Sequence, residues 1–376
     1  MATNNNELIM LNKYQALATR AWVNGNKVIV ETETIKGHTY AFYFHHSKGI
    51  EKEFYKERNA FEFDFIPLEN CITTVSFFYK DIQTGKAERV DKKYSYNKDR
   101  NTLYEFEPKI IEETDGHLIE EYNIDSDVTF IVFSPAGCDK KSVTFGLYFL
   151  INKGFNLISC KHDDNFFQTL SFERFKNLVS PLIQGKKVFL YGSSLGAYAS
   201  IYFAGAVNGT AIAAAPRNPY HPELRSHKIN YDHLEFTHSC LSKVQQTTEN
   251  VYVFLDKYDV TDMYFYSTVI QPYYKKISLF SVDYAGHEVL IHLNRTHQLS
   301  DLISNIVFND KIEINPELES EYTLLGRIRI FYQLERYRDV EMLSNRILSS
   351  SEYSETSKNT ANFYLNKLNS QSVLKA

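Results

Sequence analysis

The 376-residue chain holds four cysteines, 15 glycines, nine prolines and a single tryptophan. Cys71, Cys138, Cys160 and Cys240 are scattered, with no C-x-x-C pair and none of the density of a disulfide-stapled secreted domain, so a reducing, cytoplasmic location is expected. Glycine and proline fall below their usual shares of roughly 7% and 5%, which argues against collagen-like and low-complexity architectures. Cations are not in excess either. With 41 Lys and Arg against 46 Asp and Glu, the net charge is −5, too negative to coat a phosphate backbone, and nucleic acid is not an expected partner. No run of ~18 apolar residues occurs, and the opening MATNNNELIMLNKYQ has no charged segment leading into an apolar one; neither a membrane span nor an export signal is expected. Neither G-x-x-x-x-G-K-[ST] nor G-x-G-x-x-G is present, so nucleotide hydrolysis and dinucleotide redox chemistry lack their phosphate cradles.

What the chain does have is a globular balance, 43% apolar and 23% charged, at a length that calls for more than one core. Aromatics reach 15%, with 27 Tyr and 27 Phe, a composition suited to strand-rich packing and sugar-facing surfaces, though an AT-rich genome gives the same bias. Three stretches differ in grammar. From Ala18 to Tyr96, short β-branched and aromatic runs (Lys27–Glu33, His38–His45, Ala60–Ile66, Thr73–Tyr79) alternate with turn-formers at Asn24-Gly25-Asn26, Lys36-Gly37 and Thr84-Gly85. That spacing predicts a small antiparallel β-sandwich over 1–115, with the charged stretches Glu51–Arg58 and Asp91–Arg100 as solvated connections.

A linker is expected over Pro108–Asp125. Beyond it, fully apolar strands (Val128–Phe133, Asn156–Cys160, Lys187–Tyr191, Ala211–Ala215, Val251–Leu255, Lys276–Val282) alternate with helical segments over Ser142–Lys153, Ser171–Ile183 and Leu195–Ala206. Strands buried on both faces and separated by helices predict a doubly wound, mostly parallel α/β sheet over 116–312. In the last stretch, 313–376, Leu318, Tyr322, Leu325, Ile328 and Tyr332 fall at helical spacing, a second helix follows through Val340, Leu343 and Ile347, and a third covers Thr356–Leu368. LLGRIRIFYQLERYRDVEMLSNRIL resembles one tetratricopeptide-like pair, which cannot bury its own apolar face and so must pack on the α/β part, on a second copy of the chain or on another protein.

The chemistry concentrates at one strand-to-helix turn, Gly192-Ser193-Ser194-Leu195-Gly196, a G-x-S-x-G pattern between an apolar strand and an Ala/Tyr-rich helix. Its glycines let strand and helix approach closely around a serine whose hydroxyl projects beyond the sheet, at a helix N-terminus that favours developing negative charge. A serine hydroxyl needs a base to take its proton and a carboxylate to orient that base. His287 follows the last predicted strand at a Gly-His turn and fills the base position; the acid is one of three aspartates after Val251–Leu255. Asp259 takes the usual loop position, while Asp262 is placed to cap the following helix and Asp256 to fix the turn, and either is an alternative acid. Backbone donors for an oxyanion are expected at Leu195 and at Ala136 or Gly137, after the first strand. The stretch His287-Glu288-Val289-Leu290-Ile291-His292 spaces its histidines five apart, on different helix faces, so no metal is implied. Cys138 has no histidine that the sequence pairs with it.

Over roughly Asp125 to Asn309 these features resemble the α/β-hydrolase superfamily. More narrowly, YGSSLGAYASIYFA, FFQTLSFERFKNLVSPL, APRNPYHPEL and LDKYDVTD look like bacterial capsular and surface-polysaccharide O-acetyltransferases with a Ser-His-Asp triad, although Ala197 stands where a second glycine is common. The resemblance implies acetyl-CoA as acyl donor, a polysaccharide hydroxyl as acceptor, an acyl-Ser194 intermediate, and docking to glycan-synthesis proteins through the C-terminal helices. Lys161, His162 and Arg217, near strand ends, are the cationic candidates for holding the donor or substrate. Hydrolysis of a carbohydrate or small ester by the same triad is the alternative, and a non-catalytic scaffold of a glycan-synthesis complex the second.

Overall fold

The computed structural model describes residues 14–374 apart from 15–16, 47, 65, 225–235, 239 and 316–319. Eight strands come first: β1 (Thr19–Asn24), β2 (Lys27–Thr32), β3 (His38–His46), β4 (Gly49–Lys56), β5 (Ala60–Phe63), β6 (Cys71–Asp81), β7 (Ala87–Asn97) and β8 (Thr102–Glu105). They form two antiparallel sheets, β1-β2-β5 and β4-β3-β6-β7-β8. Alternate side chains of both sheets meet in one aromatic-rich core that includes Val28, Val30 and Phe63 from the first and Phe42, Phe44, Val75 and Phe77 from the second. The two charged stretches expected as connections lie in strands instead: Glu51–Lys56 in β4 and Asp91–Asn97 in β7. β4 is an edge strand with most of its residues in solvent, so its charges need no burial.

The second part is one eight-stranded sheet with eight further strands: β9 (Lys109–Glu113), β10 (His117–Tyr122), β11 (Val128–Phe133), β12 (Asn156–His162), β13 (Lys187–Ser193), β14 (Thr210–Ala214), β15 (Val251–Leu255) and β16 (Ile277–Ser281). Their order is β16-β15-β14-β13-β11-β12-β10-β9. All pairings from β12 to β16 are parallel, and β10 runs antiparallel to both β12 and β9. The stretch expected as a linker is therefore two strands, and the large sheet starts at Lys109 rather than at 116.

Period-two alternation places Ile131, Phe133, Leu190, Val253 and Leu255 on one face and Phe130, Val132, Phe189, Tyr191 and Phe254 on the other. Helices cover both faces: α1 (Leu147–Asn152), α2 (Phe172–Val179), α3 (Leu195–Val207), α4 (Val260–Phe265), α5 (Val289–Arg295) and α6 (Leu299–Asn309). α2 and α3 pack on the first face; α1, α5 and α6 pack on the second. α1 is shorter than Ser142–Lys153, because only its last turns carry the buried Leu147, Leu150 and Ile151.

α7 (Glu321–Gln333), α8 (Tyr337–Ser349) and α9 (Glu355–Leu374) pack together through Leu324, Ile328, Val340, Leu343, Ile347 and Ala361. Leu318, the expected start of that stripe, lies outside the described residues. α7 also reaches the α/β part: Gly326 sits so close to the Tyr284 carbonyl that any Cβ there would overlap it. Among the described residues no helix is long and apolar enough to cross a membrane.

Candidate active site

β13 runs out of the sheet at Ser193, and Ser194 turns the chain into α3 with φ 55° and ψ −117°. This is the left-handed region that side chains rarely occupy, and the cost is tolerated only where surrounding bonds over-determine it. Those bonds are present. Ser194 N donates to Ala214 O (2.9 Å), and Ser194 O accepts from Tyr198 N (3.1 Å) and Arg217 N (3.0 Å). The flanking glycines have a steric cause: a Cβ on Gly192 would overlap the backbone of Gly196, and one on Gly196 would overlap the Phe133 carbonyl. Strand, helix and the end of β11 can meet only without side chains there.

Ser194 Oγ donates to His287 Nε2 at 2.9 Å, and His287 Nδ1 donates to Asp262 Oδ2 at 2.8 Å, with Oδ1 at 3.1 Å. The proton on Nδ1 is the tautomer this chain of bonds requires. His287 is one-third exposed and Asp262 fully buried. Strand and turn order thus bring Ser194, His287 and Asp262 together at the carboxyl end of the parallel strands, where such sheets present their ligands.

The three aspartates after β15 have distinct places. Asp259, expected as the acid, is the N-cap of α4: its Oδ1 accepts from Thr261 N (3.1 Å) and Asp262 N (3.0 Å), which commits it to its own helix. Asp262, expected as a cap, lies in the first turn and points inward to His287 instead. Asp256 fixes the turn as expected, accepting from Tyr258 N (3.0 Å) and, across the site, from Gly286 N (2.7 Å). Burial pushes the Asp256 carboxyl above its ordinary range, partly offset by those backbone donors.

The loop bearing His287 is also held from outside the sheet. Arg329 of α7 donates to Tyr284 O (3.3 Å) and lies 3.8 Å from Asp256 Oδ2, while its guanidinium occupies the space a Gly286 Cβ would need. No local sequence signal links Arg329 to a histidine loop some forty residues earlier; only the tertiary packing does.

Leu195 is the first residue of α3, where an N–H has no intrahelical acceptor. The loop Ser134–Cys138 begins level with the serine turn, since Phe133 pairs with Gly192. Ser134 N donates to Cys160 O (3.0 Å), and His162 Nε2 bonds Pro135 O (3.3 Å), which fixes the backbone carrying Ala136 and Gly137.

The three cationic candidates are engaged. Lys161 is buried and pairs with buried Glu120 at 2.7 Å, and Thr144 donates to the same carboxylate at 2.6 Å. His162 is fully buried, and burial lowers its proton affinity, so it offers a neutral ring that holds a loop rather than a charge for a ligand. Arg217 donates to Asp262 Oδ1 from Nε (2.8 Å) and to Asp259 Oδ1 from a terminal nitrogen (3.2 Å). Their positions near strand ends were readable; the buried acids that absorb Lys161 and Arg217 come from distant segments.

Strand order, the antiparallel strand beside the parallel set and the strand-serine-helix turn make the second part an α/β-hydrolase-like fold. No protein-family model matches the chain, and no curated protein matches it by sequence. Solved structures that match include an alpha-beta serine hydrolase homologue from Coxiella burnetii (16% identity, TM-score 0.36, 54% of this chain and 96% of that one). Est1E from Butyrivibrio proteoclasticus matches at 10% identity and TM-score 0.37 over 53% of this chain and 99% of its own. XC6422 from Xanthomonas campestris, a serine hydrolase without lid, matches at 16% identity and TM-score 0.35 over 57% and 99%.

Proposed function

We propose that the chain catalyses serine-dependent acyl transfer through an acyl-Ser194 intermediate. The observation that carries this is the unbroken chain of hydrogen bonds from Ser194 through His287 to Asp262 at a strained turn. In this reading His287 takes the Ser194 proton as Oγ attacks an ester or thioester carbonyl. Asp262 holds the ring tautomer and stabilises the imidazolium, and the N–H groups of Leu195 and Ala136 or Gly137 receive the oxyanion. The imidazolium then protonates the leaving group. A second nucleophile, deprotonated by His287, releases the acyl group.

The second nucleophile decides the activity. A sugar hydroxyl of a bacterial surface polysaccharide, with acetyl-CoA as donor, is supported by the resemblance of the serine-turn region to capsule O-acetyltransferases. Water, making the protein an esterase, is favoured by a specific observation: the cations expected to hold the donor's phosphates are committed to Glu120, Asp259 and Asp262 or are neutral. Both readings require that Ser194→Ala lose activity by ~10⁴–10⁶ with the fold intact. Incubation with acetyl-CoA or p-nitrophenyl acetate, with and without glycan acceptors, followed by mass measurement of Ser194 and NMR of the glycan, separates them. Acetyl on the glycan supports transfer; acetate release insensitive to acceptor supports hydrolysis; turnover by Ser194→Ala contradicts both.

A further inference from the structure

Resting on the acyl-transfer reading, we propose that Arg217 is a positioning residue that orients the Asp262 carboxylate toward His287 and ties it to the serine turn. Four contacts of Arg217 carry the inference. The side chain donates to Asp262 Oδ1 from Nε at 2.8 Å and from a terminal nitrogen at 2.6 Å, leaving Oδ2 for the imidazole at 2.8 Å. The same terminal nitrogen reaches Asp259 Oδ1 at 3.2 Å, so the guanidinium spans the helix cap and the first turn of α4. The backbone N–H of Arg217 bonds Ser194 O at 3.0 Å. One residue after β14 thereby connects nucleophile and acid, which reach the site from different strands.

The physical need is plain. Asp262 has no exposed surface, and a buried carboxylate facing only a neutral imidazole lacks full compensation. A planar, always charged guanidinium supplies it from two directions, which an ammonium on a flexible stem does not. The charged groups around His287 are Asp262 and Asp259 on α4, Arg217 after β14, Glu288 beside it in the chain, and Asp256 with Arg329 at the Gly286 turn. Among these side chains, Arg217 is the one bonded to Asp262 Oδ1, the oxygen beside the one that receives Nδ1.

The test compares wild type, Arg217→Met and Arg217→Lys by two readouts: the rate of Ser194 labelling by a fluorophosphonate, and the NMR signal of the hydrogen-bonded His287 Nδ1 proton. Arg217→Met is expected to lower labelling at neutral pH by about 10²-fold, the cost of a displaced catalytic group. The downfield Nδ1 proton signal of His287, held by Asp262 in the wild type, should weaken or vanish. Arg217→Lys should restore part of that signal but not the full rate. A wild-type Nδ1 proton signal and rate in Arg217→Met overturns the proposal. If wild-type Ser194 does not label, the acyl-transfer reading fails by itself, and the Nδ1 proton signal still decides the role of Arg217. Should Arg217→Met not fold, the lysine variant decides: wild-type labelling by it removes the need for a two-pronged guanidinium.

Discussion

Charged side chains serve opposite purposes in the two sheeted parts of the molecule. In the N-terminal sheets they lie outside an aromatic core: Arg20 with Glu31, Lys27 with Glu62 and Arg89 with Asp91 are all substantially exposed. In the eight-stranded part they lie inside, where Glu120 and its partner Lys161, Asp262 beneath Arg217 and His287, and Asp256 at the Gly286 turn are buried. Exposed pairs are worth about 0–1 kcal/mol, whereas removing one partner of a buried pair costs about 3–5 kcal/mol because a charge is left unpaired. The difference teaches where this fold commits polar burial: along the strands and strand ends that carry the site.

The sharpest test of that contrast is Lys161→Met, which leaves Glu120 buried without its cation and should lose about 3–5 kcal/mol in urea unfolding. The double variant Lys161→Met/Glu120→Leu should recover much of the loss, since two apolar residues replace two charges. Next is His238, buried against Tyr202, with Nε2 bonded to Phe167 O at 2.9 Å and its proton affinity pushed down by burial to a pKa of about 4. Above pH 6.5 the ring is neutral in both folded and unfolded chains and pH has no effect through it. As pH falls from 6.5 towards 4 the unfolded chain takes up a proton that the folded one refuses, and stability drops by up to about 3 kcal/mol. His238→Asn should flatten that part of a stability-against-pH curve. At the small end, Arg20→Ala should change unfolding free energy by less than about 1 kcal/mol; a loss comparable to that of Lys161→Met would break the comparison.

The same contrast explains what the sequence made legible. The apolar strands β11 and β15 were readable because burial on both faces leaves an unbroken apolar run. β9 and β10 were not: Glu112, Glu113, Glu120 and Glu121 read as linker, and two of those acids are made burial-compatible by the distant Lys161 and Arg174 together with the nearby His117. β4 and β7 failed for the opposite reason, as strands with a face in water carry charge freely. Ser194 was legible because its glycines answer a steric demand of the turn, and His287 because it follows the last strand. Asp262 was obscured by an aspartate three residues earlier. Yet Asp259 before Asp262 has the spacing of a cap and its first-turn partner, and taking Asp259 as N-cap would have turned Asp262 inward.

The central claim, that Asp262 rather than Asp259 completes the chain to Ser194, is tested most directly by the rate of Ser194 labelling with a fluorophosphonate in Asp262→Asn and Asp259→Asn, each at matched pH and with folding checked by circular dichroism. The account predicts a loss of ~10⁴ for Asp262→Asn, whose amide cannot hold the Nδ1-protonated ring, and a loss of about tenfold or less for Asp259→Asn, which keeps a capping oxygen. The reverse ranking, or equal small losses, would contradict it.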